Sequence, residues 1–154
     1  MLKYDSYDIV MQEIPNEISL CFTMTGCQLA CKDCHSEHLW NPENGKILNP
    51  GMFEKVLLKY SETITCVIFM GGEWSCSELL ILINIVKKFR LKVALYTGLN
   101  EKQIQRKYPE LLNILDFIKT GKWISSLGGL DKLKTNQILK DLRSGEILNK
   151  YFHH

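Results

Sequence analysis

The stretch Thr65-Cys66-Val67-Ile68-Phe69-Met70-Gly71-Gly72-Glu73 decides the fold. Up to Met70 it is a continuous run of strand-forming residues with no apolar-to-polar alternation, and two glycines stop it. A strand with one face in water alternates, whereas one apolar at every position is buried on both faces, as in a parallel sheet covered by helices. Downstream, Ser75 or Ser77 caps a helix through about Phe89, and Leu91–Thr97 reads as the next strand before Gly98. Asn100 caps a short helix that stops before Pro109. Leu112–Ile118 reads as a further strand, with a buried helical turn as the alternative. Upstream, Pro50 or Asn49 starts a helix over Met52–Tyr60, and Tyr7–Ile14 and Glu17–Thr23 alternate as two strands around a turn at Pro15-Asn16. In the tail Gly121, Gly128 and Gly129 indicate loop, and Thr135–Leu142 is expected to be a last helix. The strand, helix, strand order predicts an α/β domain with a mostly parallel sheet.

Length and composition agree. A chain of 154 residues is expected to form a single domain, 1–154, and to bury roughly 69% of its unfolded surface. It needs neither disulfide nor metal to hold a core. Hydrophobic residues at 45% and charged residues at 23% exclude disorder and coiled coil. A net charge of +2, from 19 basic and 17 acidic side chains without a basic stripe, argues against a nucleic-acid partner. The N-terminus carries no apolar run behind a basic cap, and Leu79–Val86 is far too short to cross a bilayer, so the expectation is a cytoplasmic protein.

In a reducing cytoplasm cysteine clusters usually bind metal or do chemistry. Three of the six cysteines fall within eight residues, Cys27-Gln-Leu-Ala-Cys31-Lys-Asp-Cys34, on the loop after a strand. A [4Fe–4S] cluster held wholly by protein uses four cysteines. Three leave one iron open to another ligand, and an open position marks a catalytic rather than a structural centre. The alternative is structural zinc on Cys27, Cys31, Cys34 and His38, with His35 competing for the fourth place. Gly71-Gly72-Glu73 adds a second signal. Glycines at a strand end let backbone approach a ligand closely, and ligands of open α/β sheets gather at the carboxyl ends of strands.

A C-x3-C-x2-C loop followed by a strand ending in Gly-Gly-Glu resembles the radical S-adenosylmethionine (radical SAM) superfamily. Cys34-His-Ser-Glu-His-Leu-Trp40, Gly121 and Thr135-Asn-Gln137 resemble, more narrowly, the activating proteins of anaerobic ribonucleoside-triphosphate reductase. The resemblance implies a partial, open (β/α) barrel; a full barrel usually needs about 250 residues. It implies that Cys27, Cys31 and Cys34 ligate a [4Fe–4S] cluster and that S-adenosylmethionine occupies the open iron. Gly71, Gly72 and Glu73 then meet its methionine amine, and Asp33, Cys34 and His35 its adenine. Asp33 stands where the superfamily often has an aromatic residue, which shifts the adenine contact toward His35 or the Asp33 and Cys34 backbone. Trp74 stands where proline is common, and is expected to line the pocket.

The implied reaction is reductive cleavage of S-adenosylmethionine and generation of a glycyl radical on the reductase large subunit, with an electron donor such as flavodoxin or ferredoxin. Two alternatives stay open: activation of another glycyl-radical enzyme of the pyruvate formate-lyase type, and a non-catalytic zinc-stabilised interaction module. The remaining candidates read more simply. Cys21 and Cys66 are small core residues, and Cys76 is an inert thiol near a helix start. His38 and Trp40 shape the site or pack its loop, Tyr96-Thr97-Gly98 ends a strand near the ligand rim, and Lys119 is by default solvated. His153 and His154 are too exposed to be ligands. Phosphate-loop, dinucleotide, zinc-protease and serine-hydrolase motifs do not occur.

Overall fold

The computed structural model describes residues 2–29, 31, 34 and 37–153. Seven strands, β1 (Lys3–Val10), β2 (Ser19–Met24), β3 (Lys46–Ile47), β4 (Cys66–Met70), β5 (Lys92–Tyr96), β6 (Phe117–Thr120) and β7 (Ile138–Asp141), form one sheet in the order β3-β1-β2-β4-β5-β6-β7. Four helices intervene: α1 (Pro50–Tyr60), α2 (Cys76–Lys88), α3 (Glu101–Lys107) and α4 (Pro109–Ile114). Strands β2, β4, β5 and β6 run parallel at the centre, while β1 and β7 are antiparallel to their neighbours and β3 is antiparallel to β1. The sheet is therefore α/β, mostly parallel and open rather than a closed barrel.

Local chemistry sets most boundaries where the sequence puts them. The Asn49 side chain accepts from the Met52 N–H at 2.8 Å with Pro50 in the first turn of α1. Asn100 and Gln103 form a reciprocal capping box on α3, which satisfies two donors that a helix start leaves orphaned. The β1–β2 turn holds Asn16 at a φ of 66°. Three expectations need correction. The strand expected over Leu112–Ile118 is divided: Pro109 starts α4, which runs to Ile114, and β6 begins only at Phe117. The helix expected over Thr135–Leu142 is β7, because the open edge of β6 offers a ladder of hydrogen bonds to Ile138–Asp141. The first strand runs over Lys3–Val10 rather than Tyr7–Ile14.

Alternation on the central strands builds two cores. Leu20, Phe22, Val67, Phe69, Val93 and Leu95 face all four helices and pack with Phe53, Leu57, Leu82, Ile83, Ile104 and Leu111. Phe22, Phe53 and Phe69 form an aromatic cluster with ring centroids 5.2–6.2 Å apart. Their neighbours Cys21, Cys66, Ile68 and Ala94 point to the opposite face, which is covered not by α-helices but by Ile14 from the β1–β2 turn and by Leu130, Leu148 and Phe152 from the tail, the last in a short 3-10 helix over Asn149–Phe152. Both faces of β4 are buried as its sequence requires, with helices on one of them.

Candidate functional site

Parallel strands align their carboxyl ends on one rim. The register pairs Thr23 with Met70, Met70 with Tyr96 and Tyr96 with Lys119, so these side chains form a row on the face away from the four α-helices. The cysteine loop leaves this rim from β2 and is drawn back by Leu39, whose carbonyl accepts from the Gly26 and Cys27 N–H groups at 2.6 and 3.2 Å. Gly26 takes a φ of 100° there, a conformation that favours glycine. Cys27, Cys31 and Cys34 are all unbridged and half-buried, and the Cys34 N–H donates to the Cys31 carbonyl at 3.2 Å. Burial pushes the Cys27 thiol up, a backbone hydrogen bond at Leu29 pulls it down, and Glu73, Cys31 and Cys34 push it up again. Cys27 thus feels Glu73 and both other cysteines of the loop, which places the three thiols and the carboxylate on one side of the rim.

Among the described residues no group of three His, Cys, Asp or Glu side chains could hold a single metal ion. His38, the proposed fourth zinc ligand, is exposed and turns toward Asp5, with Nε2 3.9 Å from its carboxylate. The other three thiols are held in their neutral form: burial first, aided by carboxylate neighbours and opposed at Cys66 by a hydrogen bond with Ser19, pushes Cys21, Cys66 and Cys76 up to about 12.

The Gly-Gly-Glu segment closes the opposite wall. Gly71 donates to the Tyr96 carbonyl at 2.9 Å. It takes a φ of 95°, and a Cβ there would stand 2.6 Å from the Trp74 ring, so the indole lies directly over this glycine. Gly72, at a φ of 106°, turns the chain so that Glu73 points inward. Glu73 is 4% exposed. Its Oε1 accepts from the Thr97 hydroxyl at 2.7 Å, and its Oε2 has no partner. Burial raises the Glu73 carboxyl, while hydrogen bonds from Thr97 and from its own backbone lower it. A buried carboxylate oxygen without a donor is costly. It suits a ligand that brings an N–H.

A cavity of about 140 Å³ joins these parts, lined by Met24, Cys27, Cys34, Trp40, Glu73 and Trp74 together with Leu39, Met70, Gly71, Tyr96, Thr97 and Gly98. Cys31 lies outside this wall, and Gly72 shapes the turn without lining the cavity. Asp33 and His35 lie outside the described residues. A second cavity of about 200 Å³ shares Met70, Tyr96, Thr97 and Gly98 with the first and extends past Lys119, Gly121, Trp123 and Gln137. Sequence reading missed Met24 and Leu39, which look like ordinary core residues. It also missed the bond from Thr97 to Glu73, which spans 24 residues of sequence.

Three unbridged cysteines on one loop, two of them lining an apolar, tryptophan-walled cavity, suit an iron–sulfur cluster, because shielding from water and thiolate ligation are what such clusters require. No curated protein and no solved structure matches the chain. A family model for a 4Fe-4S single cluster domain matches residues 18–140, which takes in the cysteine loop, Gly71–Glu73 and every strand from β2 to β6. The match covers some four-fifths of the sequence, and the chain belongs to the 4Fe-4S single cluster domain family.

Proposed function

We propose that this iron–sulfur protein is a radical SAM activase, which generates a glycyl radical on the large subunit of an anaerobic ribonucleoside-triphosphate reductase. The observation that carries the reading is the unpaired Glu73 Oε2, buried in the cavity that Cys27 and Cys34 also line. An α-ammonium group is the donor that this oxygen lacks, and S-adenosylmethionine carries one. Cys27, Cys31 and Cys34 hold the cluster and leave one iron for that ligand. When bound, cluster and S-adenosylmethionine together supply the one-electron cleavage that yields a hydrogen-abstracting species. Thr97 fixes the Glu73 carboxylate by donating to Oε1, so that Oε2 is presented to the ligand. Trp40, Trp74, Met24 and Met70 wall the cavity and keep water from the reacting atoms.

The proposed setting is a cytoplasmic single domain working with a flavodoxin or ferredoxin as electron donor. No helix among the described residues is long and apolar enough to cross a membrane. The test is anaerobic reconstitution with iron and sulfide, reduction by dithionite in the presence of S-adenosylmethionine, and detection of 5′-deoxyadenosine. About four irons per chain, as one [4Fe–4S] cluster requires, with cleavage lost in Cys31→Ala, is the expected result. Stoichiometric zinc without cleavage overturns it. Electron paramagnetic resonance of the reductase large subunit and of pyruvate formate-lyase, each incubated with the reduced protein, then identifies which of them acquires the glycyl radical.

A further inference from the structure

We infer that the cleft at the amino ends of the parallel strands, at the opposite end of the sheet from the cysteine loop, binds a primary alkylammonium group between Glu17 and Asp141. Glu17 is the residue that points to a ligand. Its side chain is 10% exposed, its Oε2 accepts from Lys92 Nζ at 3.0 Å, and its buried Oε1 has no partner. The carboxylate is held from both sides. The Glu17 N–H donates to the Ile14 carbonyl at 3.2 Å in the β1–β2 turn, and Lys92 opens β5. A buried carboxylate oxygen without a donor is costly. Glu17 lines a cavity of about 320 Å³ together with Asp141 and Glu146. Asp141 is the register partner of Phe117 at the start of β6. Its Oδ1 accepts from the Arg143 and Ser144 N–H groups at 2.9 and 3.2 Å, and among the described residues no cation lies within ion-pair distance of it.

The other charges around the cleft are engaged elsewhere. Glu146 Oε1 meets Lys150 Nζ and the Tyr151 hydroxyl, each at 3.2 Å. Arg143 turns its Nε to Asp116 at 3.5 Å and lays its guanidinium over the Phe117 ring, 6.0 Å from the centroid. What remains is one bare oxygen on Glu17 and an unmet charge on Asp141, and a cation that donates hydrogen bonds answers both. A metal ion does not fit, since among the described residues no group of three His, Cys, Asp or Glu side chains could hold one. A guanidinium fork takes both oxygens of a carboxylate, and Lys92 occupies one of them here. An ammonium group carries three N–H donors about a single point, enough to give one to each carboxylate. The last torsion of a carboxylate side chain is soft, so Oε1 can turn to meet it. Pro15, Phe117, Leu148 and Tyr151 line the rest of the wall, which suits the methylenes of an alkyl chain. The same group is carried by a free alkylamine and by a lysine side chain of a partner polypeptide.

The experiment titrates the isotope-labelled, reconstituted chain with n-butylammonium chloride at constant ionic strength and follows the amide chemical shifts by NMR. Saturable shifts at Glu17, Phe117 and Asp141, with half-saturation in the millimolar range, are expected. Butyltrimethylammonium keeps the charge and the alkyl chain but has no N–H donor, and is expected to bind about tenfold more weakly, the loss of a charge-assisted hydrogen bond. Glu17→Gln and Asp141→Asn, each checked for folding by far-UV circular dichroism, are expected to weaken butylammonium by a similar factor. Equal affinity for the two ammonium compounds, shifts that never saturate, or unchanged affinity in both variants overturns the site. The comparison of the two compounds needs no variant, so it decides even where a substitution fails to fold. Nα-acetyl-lysine N-methylamide then separates the sources. Binding comparable to that of butylammonium assigns the group to a lysine of a polypeptide, and exclusion assigns it to a free alkylamine. The site uses neither the cysteines nor Glu73, so the result of the 5′-deoxyadenosine assay leaves it untouched.

Discussion

Glu73 shows how a half-paired buried carboxylate burdens the protein that carries it. Its carboxyl is buried, with one oxygen bonded by Thr97 and the other bare, and burial lifts its pKa above the ordinary 4.5. A group whose folded-state pKa is raised binds its proton more tightly in the native state. Its favourable contribution is therefore complete below pH 4.5 and is lost as pH rises through the folded value. Glu73→Gln removes the buried charge. In the metal-free protein this substitution is expected to flatten the part of the stability–pH profile between acid and neutral pH and to add about 1 kcal/mol at neutral pH, an increase in Tm of roughly 2–4 °C. Urea denaturation of both proteins at the two pH values checks it, and parallel profiles would show that Glu73 is already satisfied. The same substitution should abolish 5′-deoxyadenosine formation. Gly-Gly-Glu makes Glu73 visible in the sequence, whereas Thr97 is not, because its role arises only where β4 and β5 end side by side.

At the scale of elements, legibility follows how local the determining interaction is. The caps of α1 and α3 lie within three residues of the groups they bond, so Asn49 and Asn100 announce them. Asn100→Ala is expected to cost about 1 kcal/mol, read from thermal melts. The tail is different. Ile138, Leu139 and Leu142 have a spacing that a helix could use, and what overrides it is a remote partner, the free edge of β6. The chain reaches that edge through Gly121, at a φ of 104°, where a Cβ would stand 2.9 Å from the Asn136 carbonyl oxygen and 3.1 Å from the Gln137 Cα. Those are backbone atoms that cannot rotate aside. Gly121→Ala should therefore destabilise by about 3 kcal/mol and lower Tm by roughly 6–12 °C. Gly129→Ala, with only ordinary contacts at 3.6 and 3.7 Å and no left-handed φ, should stay within about 0.5 kcal/mol. Equal effects would mean that the β6–β7 junction is not held by this close approach.

For the whole molecule, the relation between core and rim decides what the cluster is for. The apolar run of β4 made an open parallel sheet legible. It did not reveal which face carries the helices, since Cys66 and Ile68 read alike under a helix or under a tail. The consequence is a protein whose larger core, around Phe22, Phe53 and Phe69, lies on the helix side, while the cysteines occupy a loop at the carboxyl rim. Among the described residues of that loop, Leu29 alone packs against this core, as a partly buried neighbour. Folding is therefore expected to proceed without the cluster, unlike that of a zinc-stapled module, in which metal binding and folding are one event. Removing the iron anaerobically with a chelator should leave the far-UV circular dichroism nearly unchanged and the urea transition single and cooperative. Stability should fall only by the linkage term for a lost ligand. Collapse of the spectrum on chelation would make the metal a structural staple and would remove the argument for an open iron, because a centre that must be closed to hold the fold has no position to lend to a reactant.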